Sequence, residues 1–282
     1  MTQPTANLTL SLARSGGAAL GLSLSTGPSM VPGVGSSAGT STAAGGGAAR
    51  WAAAGLAGGT STAAGVGRAV PAGMVARWTL DDTSAGYVDL VGGRVLTAGG
   101  TGVGTAAGII GNAASFGGAG SLETPDAPAL RLADGFAIEL WARVTTPATY
   151  QMFASKGRSQ PEYALALLGG KLFGFMYDTT LTQAVFPEGT TVVTADTWFH
   201  AVMAVDGNRI RLYLNGVLEA TSAVLSGTYG GRNNALFLAA NVNDQFLTGR
   251  LDEPGVWQFG ASGAPGAAYW LARYNSGAGV RL

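Results

Sequence analysis

The sequence predicts an all-β protein, an antiparallel β-sandwich preceded by an extended arm rich in Gly, Ala, Ser and Thr that carries a short β-hairpin. Two observations lead to this prediction. From residue 74 onward, short runs of Val, Ile, Leu, Phe, Tyr and Trp alternate with Gly, Asp and Asn turns, as in proteins built from many short strands. The composition also changes sharply near residue 73, which indicates two parts.

The composition places the boundary between the two parts. Residues 1–73 contain no Asp, Glu or Lys, only three Arg, 16 of the 46 glycines and a single aromatic residue, Trp51. Residues 74–282 carry the other 13 positive charges and all 16 negative charges. We therefore predict an N-terminal assembly or docking arm over residues 1–73 and a folded domain over residues 74–282.

The beginning of the arm has the pattern of a β-hairpin over residues 7–25. Leucines alternate with polar residues on both sides of Gly16-Gly17, and a period of two is typical of strands with one apolar face. A two-stranded hairpin is marginally stable alone in water, so its leucine face needs a partner. The predicted assembly residues are Leu8, Leu10, Leu12, Leu20, Leu22, Leu24 and Trp51.

Residues 27–73 are a small-residue segment with an internal repeat. The sequence of Gly39–Gly45 recurs at Gly59–Gly65, a period of 20 residues. One interpretation is a flexible linker. The other is a stalk or docking segment, in which small side chains let backbones of neighbouring subunits approach closely. Collagen is excluded because Gly does not occupy every third position.

The bulk composition excludes several classes of function. The net charge is zero without a basic cluster, so we expect no nucleic-acid binding. No Cys is present, which removes disulfides and thiolate chemistry. No stretch is apolar enough for a membrane-spanning helix, and the first residues lack the basic start and apolar run of a secretion signal. We expect neither membrane insertion nor export by that route.

The domain after residue 73 contains eight runs that read as strands. Turn signals such as Gly169-Gly170 and Asn215-Gly216 separate them, and Asn-Gly predicts a type I′ hairpin turn. Only residues 263–275 have a helical pattern. The predicted strands are residues 74–80, 136–144, 163–168, 171–177, 199–205, 209–216, 235–240 and 249–259.

Several phrases in order resemble the laminin-G-like, concanavalin A-like jelly roll of lectins and glucanases. They are RWTLDDTSAGYVDLVGG, GIIGNAASFGGAGSLETPDAPALRLADGFAIELWARV, DTWFHAVMAVDGNRIRLYLNG, GRLDEPGVWQF and YNSGAG. The resemblance covers residues 74–282 and implies two antiparallel sheets, one of them concave, with ligand-binding loops at the rim.

The glucanases that this sequence resembles use alternating carboxylates of the form Glu-x-Asp-x-Glu, which point into one cleft. No such triplet is present: Glu139 is alone in its strand, and Asp252 and Glu253 are adjacent, which predicts opposite faces. The single histidine, His200, has no second His or Cys for zinc or a nucleophilic triad. We predict that the protein is not an enzyme.

The resemblance also implies candidate ligand sites. Calcium is the candidate cofactor, with Asp81, Asp82, Asp89 and Asp252 as its ligands; the alternative is that these carboxylates cap turns and anchor hydrogen bonds. The polar loop NVNDQF offers Asn241, Asn243 and Asp244 for glycan contacts. For Trp141 we favour packing in the core or on a sheet face over sugar stacking.

A sugar-binding type of fold without an export signal suits a bacteriophage virion protein, which is made in the host cytoplasm and released by lysis. The small-residue repeats and the RYNSGAG ending are similar to those of phage structural proteins. The leading hypothesis is a head decoration or tail-fibre protein. Its partners would be other virion proteins, copies of itself (a trimer being one candidate) and host-surface glycans. The alternatives are a glycan-binding module of a bacterial surface or secreted protein, and a diverged glycosidase.

Overall fold

The computed structural model describes residues 6–14, 20–28, 70–81, 86–182, 184–240 and 245–280, the first two ranges as backbone only. The chain divides into two units, Met1–Val66 and Gly67–Leu282. Among the described residues no helix is long and apolar enough to cross a membrane.

The first unit contains the predicted hairpin. Strand β1 (Ala6–Arg14) pairs antiparallel with β2 (Leu20–Pro28) as a sheet of two strands. Residue 10 lies opposite residue 24, and residue 12 lies opposite residue 22. Since directly opposed residues share a face, the register places these leucine positions together. The role of residues 1–73 as a docking arm stays a prediction.

The second unit is a sandwich of two antiparallel sheets, which confirms the predicted fold class. Sheet I has the strand order β13-β12-β11-β10-β17-β8-β5-β4. Its strands are β4 (Tyr87–Val88), β5 (Val95–Gly100), β8 (Gly120–Thr124), β10 (Gln151–Lys156), β11 (Tyr163–Leu168), β12 (Lys171–Tyr177), β13 (Ala184–Val185) and β17 (Leu236–Leu238).

Sheet II has the order β16-β15-β14-β9-β18-β7-β6, with β3 also paired to β18. Its strands are β3 (Met74–Arg77), β6 (Val103–Ala107), β7 (Asn112–Gly117), β9 (Phe136–Val144), β14 (Trp198–Asp206), β15 (Arg209–Leu214), β16 (Val217–Thr221) and β18 (Thr248–Gln258). Asn215 and Gly216 both have positive φ, which confirms the predicted type I′ turn between β15 and β16.

The core lies between the two sheets and follows the period of two. On β9, Phe136, Ile138 and Leu140 are buried in this core, while Ala137 belongs to a separate cluster on the other face of sheet II. The alternation predicted for this strand is therefore confirmed.

The outer face of sheet II is covered by the predicted helical segment. Helix α1 (Ala267–Tyr274) packs Trp270, which is fully buried, edge-on against Trp257 of β18 with ring centroids 6.2 Å apart. The indole N–H of Trp270 donates to the Pro265 carbonyl at 2.9 Å. The outer face of sheet I carries no helix among the described residues, and it holds the candidate site.

Candidate functional site: an aromatic groove on sheet I

The outer face of β12 carries three aromatic side chains in a row, Phe173, Phe175 and Tyr177. Gly174 between them faces the core, since a Cβ there would lie 2.8 Å from Leu212 of sheet II. Because successive side chains of a strand point to opposite faces, the three rings point away from the core.

Two further rings complete what we call the aromatic wall: Tyr150, Phe173, Phe175, Tyr177 and Phe186. Tyr150 meets Phe173 edge-on at 6.0 Å between centroids, and Phe186 stacks on Phe173 at 6.2 Å. Phe186 is 50% exposed, although a ring of this size is normally a large contribution to a core. The wall therefore presents aromatic surface to solvent.

Small side chains separate the wall from the next aromatic residue across the sheet. Phe175 lies opposite Ala164, Ala164 opposite Ser155, and Ser155 opposite Phe237. The two small residues in the middle of this row, Ala164 and Ser155, are fully buried, and Phe237 is 5% exposed.

The loop 157–162, whose residues 158–161 line a groove beside the aromatic wall, forms one rim of that groove and has an unusual backbone conformation. Gly157 has φ +105°, and Gln160, which is not a glycine, has φ +46°. The Gln160 carbonyl accepts a hydrogen bond from Arg232 Nη1 at 2.9 Å. Left-handed conformations at non-glycine residues persist where the surroundings fix them, and they cluster at binding sites.

A buried ionic network holds the base of this loop. The Lys156 ammonium, which is fully buried, donates to Asp126 Oδ1 at 2.6 Å and to the Arg232 carbonyl at 3.2 Å. Glu162 Oε1 accepts from the Arg232 amide at 2.9 Å, and burial raises the pKa of the Glu162 carboxyl. A buried charge is tolerated when it is paired and hydrogen-bonded, so the network fixes both ends of the rim.

The wall, the loop and Gln245 enclose a groove of about 250 Å³. This is somewhat below the roughly 300–1,000 Å³ of sites for drug-sized ligands, which suits one or two sugar rings. Burial and the neighbouring Tyr177 raise the pKa of Tyr150 to about 12, so its hydroxyl stays neutral. The groove is lined by Tyr150, Arg158, Ser159, Gln160, Pro161, Phe173, Phe175, Tyr177, Phe186 and Gln245.

The predicted glycan residues Asn241, Asn243 and Asp244 lie outside the described residues. Gln245, which follows them directly, lines the groove. Its carbonyl accepts from the Met152 amide at 2.9 Å, which ties the end of this loop to β10. The glycan contacts of the three residues stay a prediction.

Of the four predicted calcium ligands, Asp89 is engaged in protein contacts. Its Oδ1 accepts from the amides of Arg77 at 2.8 Å and Val91 at 2.9 Å, its Oδ2 accepts from the Gly92 amide at 3.0 Å, and Arg94 pairs with Oδ2 at 2.5 Å. Asp89 thus anchors a turn, as the alternative interpretation expected.

Asp81 and Asp252 also accept backbone hydrogen bonds. Asp81 Oδ1 accepts from the Asn112 amide at 2.7 Å, and Asp252 Oδ2 accepts from the Ile109 and Ile110 amides at 2.8 and 3.0 Å. In the part of the chain that the structure describes, no three His, Cys, Asp or Glu side chains form a group that could hold a metal. Asp82 lies outside the described residues, and the calcium site stays a prediction.

The Asp252 carboxyl is fully buried next to a second carboxyl. Burial raises its pKa to about 7, the amide hydrogen bonds oppose this rise, and the charge of Glu253 adds to it. Glu253 has φ +51° in an irregular part of β18 and pairs with Arg77, whose Nε lies 3.0 Å from Oε2. Both side chains are buried. The sequence-based expectation that they point to opposite faces of the strand did not include this burial.

Glu139 is not isolated, as its sequence context suggested, but is the centre of a buried polar cluster. It accepts hydrogen bonds from His200 Nε2 at 2.8 Å, from Trp257 Nε1 at 3.1 Å and from Arg273 of α1. Burial alone would raise the pKa of Glu139, but the charge of Arg273 and the hydrogen bond from His200 lower it to about 2. The cluster joins β9, β14, β18 and α1.

Trp141 packs within the domain, as predicted. It is 4% exposed, stacks on Tyr274 with centroids 5.7 Å apart and lies 5.2 Å from the His200 ring. A ring with both neighbours supplied by the protein has no face left for a sugar.

The predicted assembly residues are placed only in part. The six leucine positions lie in β1 and β2, where the backbone alone is described, and Trp51 lies outside the described residues. Their assembly role stays a prediction.

The aromatic wall was missed at the sequence level, although the sequence contains its signal. In KLFGFMY three of the four residues on one face are aromatic, while the other face has Leu, Gly and Met. A strand with two apolar faces near a sheet edge indicates that its outer face has a further role. Tyr150, Phe186 and Arg158 have no local signal, because loops bring them to the groove.

Comparisons with known proteins agree with this fold. The model of the concanavalin A-like lectin/glucanases superfamily matches residues 116–262, and a search of curated protein sequences gave no match. Domain 4 of AbnA, an extracellular arabinanase from Geobacillus stearothermophilus solved with arabinotriose, is 19% identical with a TM-score of 0.56, covering 71% of this chain and 97% of that one.

Binding domains of toxins share the fold with similar TM-scores. The binding domain of Paraclostridial Mosquitocidal Protein 1 is 16% identical with a TM-score of 0.60, and that of botulinum neurotoxin DC, solved with SialylT, is 11% identical with a TM-score of 0.57. The matches cover 72% and 73% of this chain but 52% of each toxin chain, so this chain spans about half of their length. With its sandwich and its family match over more than half of its residues, the chain belongs to the concanavalin A-like lectin/glucanases superfamily.

Proposed function

We propose that the protein is a non-catalytic glycan-binding protein that holds sugar in the aromatic groove of sheet I. The observation that carries this proposal is the aromatic wall, five rings gathered on one outer sheet face with Phe186 half exposed. The exposed surface of Phe186 adds nothing to the stability of the fold, whereas a ligand with an apolar face can cover it.

The chemistry of the groove suits a carbohydrate. Pyranose and furanose rings have C–H faces that stack on aromatic rings and hydroxyl edges that need hydrogen-bond partners. The rings supply the first surface, and Ser159, Gln160 and Gln245 on the opposite rim supply donors and acceptors. Such a division into apolar wall and polar rim is typical of small-ligand sites.

The groove supports binding rather than hydrolysis. Glycoside hydrolysis needs a pair of carboxyl groups flanking the scissile bond. None of the described residues that line the groove is Asp or Glu. Glu139 and Asp252 are buried in clusters of their own, 3% and 0% exposed; Glu139 accepts from three side chains, and Asp252 Oδ2 accepts from two backbone amides.

The fold neighbours support a binding role as well. The names of these neighbours describe a domain in complex with arabinotriose and toxin binding domains. For this chain we propose the same general class of ligand, a glycan.

We further propose that the protein is a bacteriophage virion component, a head decoration or tail-fibre protein, whose N-terminal arm docks into the particle and displays the sandwich outward. The support is the hairpin β1–β2, whose two strands form a sheet of their own among the described residues. Such a hairpin needs a partner for stability. Loss of particle attachment on deletion of residues 1–73 would favour this role. Retained glycan binding without any particle partner would favour a module of a bacterial surface or secreted protein.

The test of the groove is a glycan array with the full chain, followed by calorimetric titration of the best ligand. Phe186→Ala and Tyr177→Ala should each lower the affinity about five- to thirtyfold, since an aromatic stacking contact with its buried area is worth roughly 1–2 kcal/mol. Leu271→Ala is the matched control, because Leu271 is 52% exposed on α1 and lies outside the groove lining. Equal affinities for all three variants would overturn the proposal, as would an array without binding.

A further inference from the structure

Arg158 is the charged residue among the described groove-lining residues; the other nine are aromatic, neutral polar or proline. Its side chain is 39% exposed. Among the described lining residues no carboxylate accompanies this cation, which gives that part of the groove a positive character. A purely neutral ligand would make no use of this charge.

The guanidinium of Arg158 is held in place by the sheet. Its Cζ lies 4.4 Å from the centre of the Phe237 ring, and its Nη2 lies 3.5 Å from Ser121 Oγ. A guanidinium stacked on an aromatic face is attracted by the electron density of the ring and keeps its edge free to bind. Phe237 lies in the same cross-strand row as Phe175 of the aromatic wall, three strands away, which is roughly 14 Å at about 4.8 Å per strand. The cation and the wall are therefore spaced to contact neighbouring sugars of one oligosaccharide.

Among the described residues, the carboxylate that pairs with Arg158 is that of Glu123, and it is a weak competitor. Glu123 Oε2 lies 4.0 Å from Nη2, and the two side chains are 43% and 39% exposed. Ion pairs of this kind contribute little because water screens them. A ligand carboxylate that forms two parallel hydrogen bonds with the guanidinium makes the stronger interaction.

A second guanidinium supports the same rim. Arg232 Nη1 donates to the Gln160 carbonyl at 2.9 Å, which places another positive charge beside the loop that carries Arg158. Its backbone amide is bound by Glu162, a buried residue.

We propose that the ligand of the groove is an acidic glycan, with one sugar stacked on the aromatic wall and a sugar carboxylate bound by Arg158. This inference rests on the proposed function and names its ligand class. The carboxylate can come from a uronic acid or from a sialic acid, and the shared chemistry is a carboxylate on a ring that also offers a C–H face.

The test is calorimetric titration of the full chain with two matched pairs of ligands. One pair is a short oligogalacturonate and the same oligosaccharide methyl-esterified at its carboxyl groups; the other is sialyllactose and sialyllactose methyl-esterified at its carboxyl group. We expect the acidic member of at least one pair to bind roughly ten- to a hundredfold more tightly than its neutral partner, the range of a charge-assisted hydrogen-bonded pair. Added salt should reduce this advantage.

Variants of Arg158 distinguish the contribution of its charge from that of the rest of the groove. Arg158→Gln should abolish the preference for the acidic ligand, whereas Arg158→Lys should keep part of it, because Lys retains the charge without the planar fork. Arg250→Gln is the control, because Arg250 lies on β18 of sheet II. This variant should bind both ligands of each pair as the wild type does.

The possible results distinguish failure of the acidic-ligand proposal from failure of the glycan groove itself. Equal binding of acidic and neutral partners, or an unchanged preference in Arg158→Gln, overturns the acidic ligand and leaves the glycan groove standing. Absence of binding to these ligands and to every glycan of the array overturns both.

Discussion

Replacing Glu139 by Gln tests the buried polar cluster that joins α1 to sheet II. The pKa of Glu139 is lowered from 4.5 to about 2, and its side chain is 3% exposed. At about 1.4 kcal/mol for each pKa unit, the ionised carboxylate stabilises the folded state by about 3 kcal/mol. This agrees with the roughly 3–5 kcal/mol lost when one partner of a buried ion pair is removed. Glutamine keeps the shape but leaves Arg273 without its counter-charge.

The pH dependence follows from the sign of this change. A lowered pKa means that the stabilisation is present above pH 4.5 and is lost as the pH falls towards about 2. The free energy of unfolding of Glu139→Gln should therefore lie about 3 kcal/mol below that of the wild type near pH 7. The difference should shrink as the pH falls towards about 2, because the Glu139 carboxyl then becomes protonated and, like glutamine, loses its charge.

The assay is urea unfolding of the full chain followed by tryptophan fluorescence, at several pH values. Glu188→Gln is the control: Glu188 forms an exposed pair with Lys171, and its loss should cost less than about 0.5–1 kcal/mol. A Glu139→Gln variant as stable as the wild type near pH 7, or a difference that does not change with pH, would refute the reasoning.

Three further predictions concern the rest of the molecule. Trp141→Ala should destabilise the domain by roughly 3–5 kcal/mol, because a buried ring stacked on Tyr274 is lost; an unchanged melting curve would contradict its packing role. Asp252→Asn should raise stability at about pH 8 and have little effect near pH 4. The reason is that the pKa of Asp252 is raised, so its ionisation destabilises the folded state as the pH rises through about 7. Unfolding measured at both pH values tests this prediction, and equal stability of variant and wild type at about pH 8 would contradict it. Deletion of residues 8–24 should leave a folded, monomeric sandwich by mass measurement in solution, and an unchanged oligomer would argue against the docking arm.

The strands with strong local patterns could be predicted from the sequence. Residues 136–144, 163–168 and 171–177 are strands with the predicted bounds, because each combines β-branched, aromatic or leucine residues with clear turn signals. The type I′ turn at Asn215-Gly216 was equally accessible, since few other dipeptides adopt positive φ twice.

Strands β4 to β8 could not be predicted in the same way. β5 (VLTAGG) and β6 (VGTAA) are poor in large apolar residues, so they resemble loops in sequence and become strands through pairing with their neighbours. Tertiary pairing of this kind overrides local propensity.

The candidate site was harder to predict from the sequence than the fold was. The row from Phe175 through Ala164 and Ser155 to Phe237 joins four strands, and only the strand order brings these residues together. The partners of Glu139 are likewise distant, 61 residues away for His200 and 134 for Arg273. A lone Glu and a lone His in the sequence therefore formed a buried pair that no spacing rule indicates.

The most direct test of the central claim is a crystal structure of the full chain with the glycan that binds best on the array. We expect a sugar ring stacked on Tyr177 or Phe186, with carbon atoms within about 4–4.5 Å of the aromatic ring. A sugar bound at another surface, for example beside Asp81 and the loop 108–112 of sheet II, with the aromatic wall empty, would contradict it.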